Sequence, residues 1–314
     1  MEHTLPLSSA VRTAGAGFRP FRFGVVAAAA RSADAWLGTA RRAEALGYAM
    51  LVMPDNLRHI LAPLPALAMA AAATRSLRLG TYVLANDLRH PVLLAKDVAT
   101  LDLLSDGRFE LGMGAGRPDS AAENRMLGLA FDSGAVRVAR LAESLAVLKS
   151  LLAGHRPPRN GQFYSAAEAE ISPLPVQQPH PPLLVAGSGR RLLQLAAREA
   201  DIIAIGLPPD APETVAAERV AWIREAAGSR FPAIELNVNL MAVGDQVPLW
   251  MSARLGVSAR DLAERGSVAA VSGTPDEMCE QLIRRRERLG LSYVLVSDEL
   301  MDGFAPIVER LAGQ

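Results

Sequence analysis

The sequence predicts an α/β fold, a (β/α)8 TIM barrel with insertions, on three observations. Short β-branched and aliphatic runs alternate with amphipathic helical stretches from Phe21 nearly to the end of the chain. The runs are apolar at successive residues, as parallel strands covered on both faces are. A length of 314 residues suits one barrel, which takes roughly 250.

Taken in order, the first strand is read at 21–28, followed by a helix that Ser32 caps and that Gly47 ends, with Trp36, Ala40 and Ala43 on one face. The second strand is 48–53. A loop from Pro54 to Pro65 leads to a short alanine-rich helix over 67–74, then to a third strand at 77–84. Pro91 opens the next helix as a first-turn residue, and 108–114 is the fourth strand. Leu141, Leu145, Leu148 and Leu152 recur at helical spacing on a long helix. Residues 154–181, with six prolines and two glycines, interrupt the rhythm as an insertion of irregular or hairpin structure. Strands at 182–187, 201–206 and near 234–243 follow, with helices to Glu199 and near 211–228, while 245–270 shows no clear period. Thr274, Pro275 and Glu277 form a helix-start signature of N-cap, first-turn proline and capping-box acid, ahead of Met278, Leu282 and Leu289 on one face. The strand at 291–297 closes the barrel. The domain reading is therefore a flexible N-terminal extension over 1–20 and one barrel domain over 21–314.

Lys plus Arg (33) equal Asp plus Glu (33), so no whole-molecule field draws in nucleic acid or an anionic membrane. No apolar run reaches the roughly 20 residues a membrane span needs, and the N-terminus lacks a secretory pattern. Cys279 is the only cysteine, which excludes an internal disulfide and a thiolate metal cluster; no metal site is expected. These points describe a cytoplasmic protein whose partner is a small organic molecule. Cys279 itself is read as a small buried hydrophobe, and the run Arg284-Arg285-Arg286 as a solvated helix face.

Chemistry in such a barrel comes from loops past the C-terminal strand ends. Asp55 and Asn56 follow the second strand, where Asp55 is either a mouth carboxylate or a turn cap. His90 precedes the helix-opening Pro91 and reads as a structural hydrogen-bonding residue. Gly112, Gly114 and Gly116 follow the fourth strand; either they allow backbone to approach a flat or phosphorylated ligand, or they make a tight turn. This is not a Rossmann fingerprint, because the third glycine and helix start are missing. After the fifth strand, Ala186-Gly187-Ser188-Gly189 opens a helix with Arg190 and Arg191 behind it, an arrangement suited to phosphate.

Four segments, LAPLPALAMAAAATRSLRLGTYVL, RHPVLLAKDVATLDLLSDGRFELGMGAG, QQPHPPLLVAGSG and SGTPDEMCEQL, together resemble the luciferase-like monooxygenase family, in its branch that uses the deazaflavin coenzyme F420. The resemblance runs over nearly the whole chain from Phe21. It implies a homodimeric barrel with a tricyclic ring in its mouth. Asp55 matches the family's acid after the second strand, and a non-prolyl cis peptide is expected at Tyr82-Val83, behind the ring. Gly114, Ala115 and Gly116 match the ring-contacting loop. Gly187, Ser188 and Gly189, with Ala186 before them, match the phosphate-binding turn. Two positions depart from the pattern. Asn56 stands where many relatives that use F420 have histidine, with His59 nearby as a substitute imidazole or a plain loop residue. Arg117 stands where the sugar-phosphate dehydrogenases have an acid, which argues against sugar oxidation and for an anionic substrate or a contact to the cofactor.

The resemblance thus implies hydride transfer between F420 and an organic substrate, with Asp55, Asn56 and Arg117 at the reacting end and Arg89, Arg190 and Arg191 as candidates for a basic groove along the cofactor tail. The alternatives are a monooxygenase using reduced FMN and oxygen, and a barrel that has lost catalysis but still binds a cofactor or partner.

Overall fold

The computed structural model describes residues 17–314. The extension expected over 1–20 lies, up to residue 16, outside the described residues; beyond it Arg19 donates to the carbonyls of Pro232 and Ala233. Strands β1 (Arg22–Val26), β2 (Met50–Met53), β3 (Arg78–Thr81), β4 (Leu84–Ala85), β5 (Phe109–Gly114), β6 (Leu183–Gly187), β7 (Ile202–Ile205) and β8 (Glu235–Asn239), with the short β9 (Ala242–Val243) and β10 (Ala270–Val271) and the closing β11 (Leu291–Ser297), are interleaved with helices. The helices are α1 (Ala33–Ala45), α2 (Pro63–Ala73), α3 (Pro91–Leu104), α4 (Ala121–Met126), α5 (Gly134–Leu152), α6 (Arg190–Glu199), α7 (Glu213–Ala227), α8 (Leu249–Leu255), α9 (Ala259–Glu264), α10 (Pro275–Leu289) and α11 (Met301–Leu311).

The parallel sheet runs β3-β2-β1-β11-β8-β7-β6-β5-β4 and closes on itself because β3 also pairs with β5. Since β4 continues β3 beyond a break, eight strand positions ring the barrel, as the sequence predicts. Alternation along each strand splits its residues into two cores. Leu51, Met53, Leu79, Leu111, Val185, Ile203, Val238, Val294 and Val296 face the helices. Met50, Val52, Leu184, Ile202, Ala204, Tyr293 and Leu295 fill the barrel.

The N-terminal end of the interior is floored by charge. Arg22 donates to Glu110 at 2.5 Å and to Glu235 at 2.5 Å, Arg78 reaches Glu110 at 2.7 Å, and the Arg22 guanidinium lies 4.1 Å over the Tyr293 ring. Each buried charge is thus matched, which is the condition for burying it.

Local signals explain the helix starts. The Ser32 side chain accepts from the Ala35 N–H, and Thr274 and Glu277 form the reciprocal capping box. Helix α2 begins at Pro63, four residues before the expected start, because both of its prolines are accommodated in the first turn. Between α5 and β6 there is neither helix nor strand, so the insertion is irregular and not a hairpin. Residues 245–270, which lack a period, hold α8 and α9 packed through Met251, Ala259 and Leu262 on Ala242 and Ala270. Helix α11, unanticipated from the sequence, seals the barrel's side by placing Phe304 edge-on to Phe23 at 5.6 Å. No described helix is long and apolar enough to cross a membrane.

The basic run on α10 is not a solvated face. Arg284 alone is exposed; Arg285 and Arg286 are buried. Arg285 pairs with Glu213 and donates to Ser267 O, while Arg286 donates to Gln314 O and lies 4.1 Å over the Phe21 ring. Sequence neighbours suggested solvation because Glu213, Phe21 and the C-terminus are distant in the chain.

Close approach requires glycine most plainly at position 112: a Cβ there would lie 1.9 Å from Thr81 O, whereas one at Gly189 meets nothing within 4 Å. Gly112→Ala is expected to cost about 3 kcal/mol or more, because the obstacle is backbone, and Gly189→Ala to stay within about 1 kcal/mol of wild type. Urea denaturation of both variants checks this; equal midpoints would refute it.

Candidate active site

The mouth of the barrel is shaped by the break between β3 and β4. There the Tyr82–Val83 peptide bond is cis, at the position the resemblance implies. The break removes ladder hydrogen bonds, and the Thr81 hydroxyl supplies replacements: Oγ1 accepts from Gly112 N at 2.8 Å and donates to Gly112 O at 2.9 Å. Val83 projects toward β5, so that a Cβ at Gly114 would meet Val83 Cγ2 at 2.7 Å. Gly112 and Gly114 therefore make room for the bulge before they make room for any ligand. Tyr82 turns into the barrel and donates to Asn237 Oδ1 at 2.9 Å, and Asn237 in turn donates to Tyr293 O at 3.1 Å. Burial pushes the Tyr82 phenol well above its ordinary range, so it stays a donor at any physiological pH.

The loops around this wall are pinned by charge. Asp55, whose side chain is 5% exposed, accepts from Ala85 N at 3.1 Å and takes both Nη1 and Nη2 of Arg89. Its carboxylate thus ties the loop after β2 to the loop after β4. Arg89, expected in a basic tail groove, is used up by that pair. Asn56 makes a local turn, its Oδ1 accepting from Arg58 N at 3.1 Å. His59 is exposed, with a left-handed backbone at φ 69°. His90 is the N-cap of α3 through Nδ1 and the Val92 N–H, the structural role read from the sequence. Farther out in the same loop, Asp87 pairs with Arg140 at 2.7 Å.

After β5, Gly116 has φ 77°, a conformation that favours glycine. Arg137 clamps this loop: it donates from Nε to Ala115 O at 2.9 Å and from Nη1 to Asp132 O at 2.6 Å, with its guanidinium 4.1 Å over the Phe131 ring. Arg117 projects outward, 83% exposed, and among the described residues pairs only with Asp119, at 3.3 Å.

After β6, Ala186 remains partly buried while Ser188 and Gly189 are exposed. Gly189 caps α6 with no side-chain hydrogen bond, which leaves first-turn N–H groups available to an anion. Arg190 is paired with Glu225 at 3.0 Å, and Arg191 is exposed.

Asp298, just past β11, was not singled out by the sequence, although its place at a strand end was the available signal. Its Oδ1 accepts from Ser297 Oγ at 3.1 Å and from Glu299 N at 3.1 Å, and Oδ2 makes no hydrogen bond among the described residues. No cation pairs with it among the described residues, and burial raises its pKa above the ordinary aspartate value. No group of His, Cys, Asp and Glu suited to a metal ion occurs among the described residues.

The model of the luciferase-like monooxygenase family matches residues 16–246. An F420-dependent glucose-6-phosphate dehydrogenase of Beutenbergia cavernae is 39% identical over 167 residues, covering 51% of this chain and 48% of the relative. The oxygenase component of a flavin-dependent trigonelline monooxygenase of Acinetobacter baylyi is 34% identical over 129 residues, covering 40% of this chain and 34% of the relative. The chain thus spans half or less of the length of these curated relatives. The structure of a coenzyme F420 dependent tetrahydromethanopterin reductase from Methanopyrus kandleri superposes with a TM-score of 0.74 at 17% identity, covering 93% of this chain and 98% of that one; at that identity the likeness is one of fold.

A carboxyl with a raised folded-state pKa holds its proton more tightly folded than unfolded, so its favourable contribution is complete below the unfolded pKa and disappears as pH rises through the folded one. Asp298→Asn is therefore expected to melt higher than wild type at pH 8, with the difference shrinking as pH falls toward 4. A melting difference that does not change with pH would refute the assignment.

Proposed function

The chain belongs to the luciferase-like monooxygenase family, and on that premise we propose that it is an oxidoreductase that binds coenzyme F420 in the barrel mouth and transfers hydride between it and an organic substrate. The observation that carries the reading is the relation between the bulge and the turn. The Val83 wall over Gly112 and Gly114 and the uncapped N-terminus of α6 behind Gly187-Ser188-Gly189 stand on neighbouring strands, since β5 pairs with β6. A flat ring against the first with its phosphate on the second fits these residues. The 39% identity to an F420-dependent relative supports F420 as the ring.

When bound, the deazaflavin supplies the hydride chemistry at its C5. The protein's own groups supply position and proton control. Val83, with Gly114, Ala115 and Gly116 beside it, backs the ring, and Asp55 acts through Arg89 and Ala85 to hold that wall. Asn56 and Arg117 stand on the loops that would meet the substrate. Asp298, a half-buried carboxyl with no cation among the described residues, is suited to hold a proton on Oδ2. Exposed Leu93, Leu103 and Leu104 on α3 with Met69 on α2 support pairing of two copies through these helices. A cytoplasmic setting accords with the single buried cysteine.

A second reading, an FMN-dependent monooxygenase, draws on the 34% identity to the trigonelline enzyme's oxygenase component. Parallel fluorescence titrations with F420 and FMN separate the two. F420 is expected to bind at least tenfold more tightly, a difference of about 1.4 kcal/mol. Preference for FMN would favour the monooxygenase, and binding of neither would favour a non-catalytic barrel.

A further inference from the structure

The turn after β6 does not stand alone. Gly206, just past β7, donates its N–H to Gly187 O at 2.7 Å, and a Cβ on Gly206 would lie 3.1 Å from that oxygen and 3.3 Å from Ser188 Cβ. Backbone from two strand ends is thus pressed together at the place where α6 begins. Arg219 reaches this point from the second turn of α7. Its Nη1 donates to Gly206 O, its Nε is buried with no hydrogen-bond partner, and it makes no ion pair among the described residues.

A guanidinium carries five N–H donors, and leaving a buried one unmet costs free energy. Nearly every other partly buried arginine near the mouth has its donors placed: Arg89 on Asp55, Arg137 on the Ala115 and Asp132 carbonyls, Arg140 on Asp87. Of the two cations that the sequence places behind the turn, Arg190 is committed to Glu225 and Arg191 is exposed. Arg219 is the cation that combines a hydrogen bond to Gly206, the residue bonded to the turn, with an unmet donor and, among the described residues, no carboxylate partner.

We propose that Arg219 receives the cofactor's phosphate at the Gly187-Ser188-Gly189 turn, supplying the charge that the turn's neutral N–H groups lack. The chemistry it would recognise is a phosphate ester on a ribityl chain. A guanidinium suits it because two parallel N–H groups can meet two phosphate oxygens. Held by Gly206 O on one side, the side chain is oriented before the ligand arrives.

The inference rests on the cofactor-binding reading above, and the test separates the two. Wild type, Arg219→Gln and Arg284→Gln are each titrated by fluorescence with FMN against riboflavin, and with F420 against its deazaflavin-ribityl core lacking the phosphate. Arg219→Gln is expected to lose tenfold or more in affinity for the phosphate-bearing member of whichever pair wild type binds, with less than a twofold change for the phosphate-free member. Arg284→Gln, an exposed position on α10, is expected to match wild type in both. Equal losses for both members, or no loss, would overturn the proposal, the first by reducing Arg219 to a scaffold residue. If wild type binds no member of either pair, the cofactor-binding reading fails and this proposal falls with it. Should Arg219→Gln not fold, Arg219→Met, which keeps the stem packed, is read by the same ratio.

Discussion

The space left opposite Thr81 by the missing side chain of Gly112 is the constraint on which the mouth depends. Because backbone can come that close, β3 can break and resume as β4 while the barrel stays closed through β3 and β5. The Thr81 hydroxyl then serves both the N–H and the C=O of Gly112, so the backbone of Gly112 is met across the break. Everything that gives the mouth its shape follows: Val83 turned toward β5, Tyr82 turned into the barrel onto Asn237, and Ala85 brought within reach of Asp55.

Below that level the barrel has a division of labour that TIM barrels share. The floor of Arg22, Arg78, Glu110 and Glu235 neutralises itself and presents nothing to a ligand. At the mouth, by contrast, several carboxylates are occupied by arginines or backbone N–H groups, while Asp298 has no cation among the described residues. A charged group at a strand end is thus a poor indicator of chemistry by itself, and what the neighbouring loops have already claimed is the better guide.

Much of the fold was legible because its signals are local. Ser32, Pro91, Thr274 and Glu277 announce helix starts within a few residues, and the apolar runs announce strands. The same holds for the turn after β6, whose small residues lie together in the chain. What escaped the sequence is non-local. The pairing of Asp55 with Arg89 spans 34 positions, and the burial of Arg285 depends on Glu213, 72 positions away. Arg219 is 13 positions from Gly206, and nothing in its surroundings on α7 distinguishes it from a surface arginine. The glycines after the fourth strand were recognised as special, yet for Gly112 the close approach comes from the chain's own backbone. Helix α11 has a strong apolar face through Phe304, Ile307, Val308 and Leu311, but it follows β11 so directly that the strand looked like the end of the pattern.

The irregular segment between α5 and β6 runs lengthwise along the barrel like a strap with two buckles. Near the mouth, Tyr164 receives Asn86 Nδ2 at 3.2 Å and lies edge-on to His90 at 5.5 Å. At the floor, Gln177 grips Asp102 at 2.6 Å and Phe109 O at 2.7 Å and accepts from Arg78 at 2.9 Å. Since the entropy of closing a loop grows only with the logarithm of its length, the exposed positions between the buckles, such as Glu168, Glu170 and Leu174, can take insertions or change composition at small thermodynamic cost, while the buckles and the buried Ala166 and Pro175 cannot. Variation among relatives at this side of the barrel can therefore remodel the rim without loosening the base, and the strap becomes the part of the fold in which new surface is acquired most cheaply.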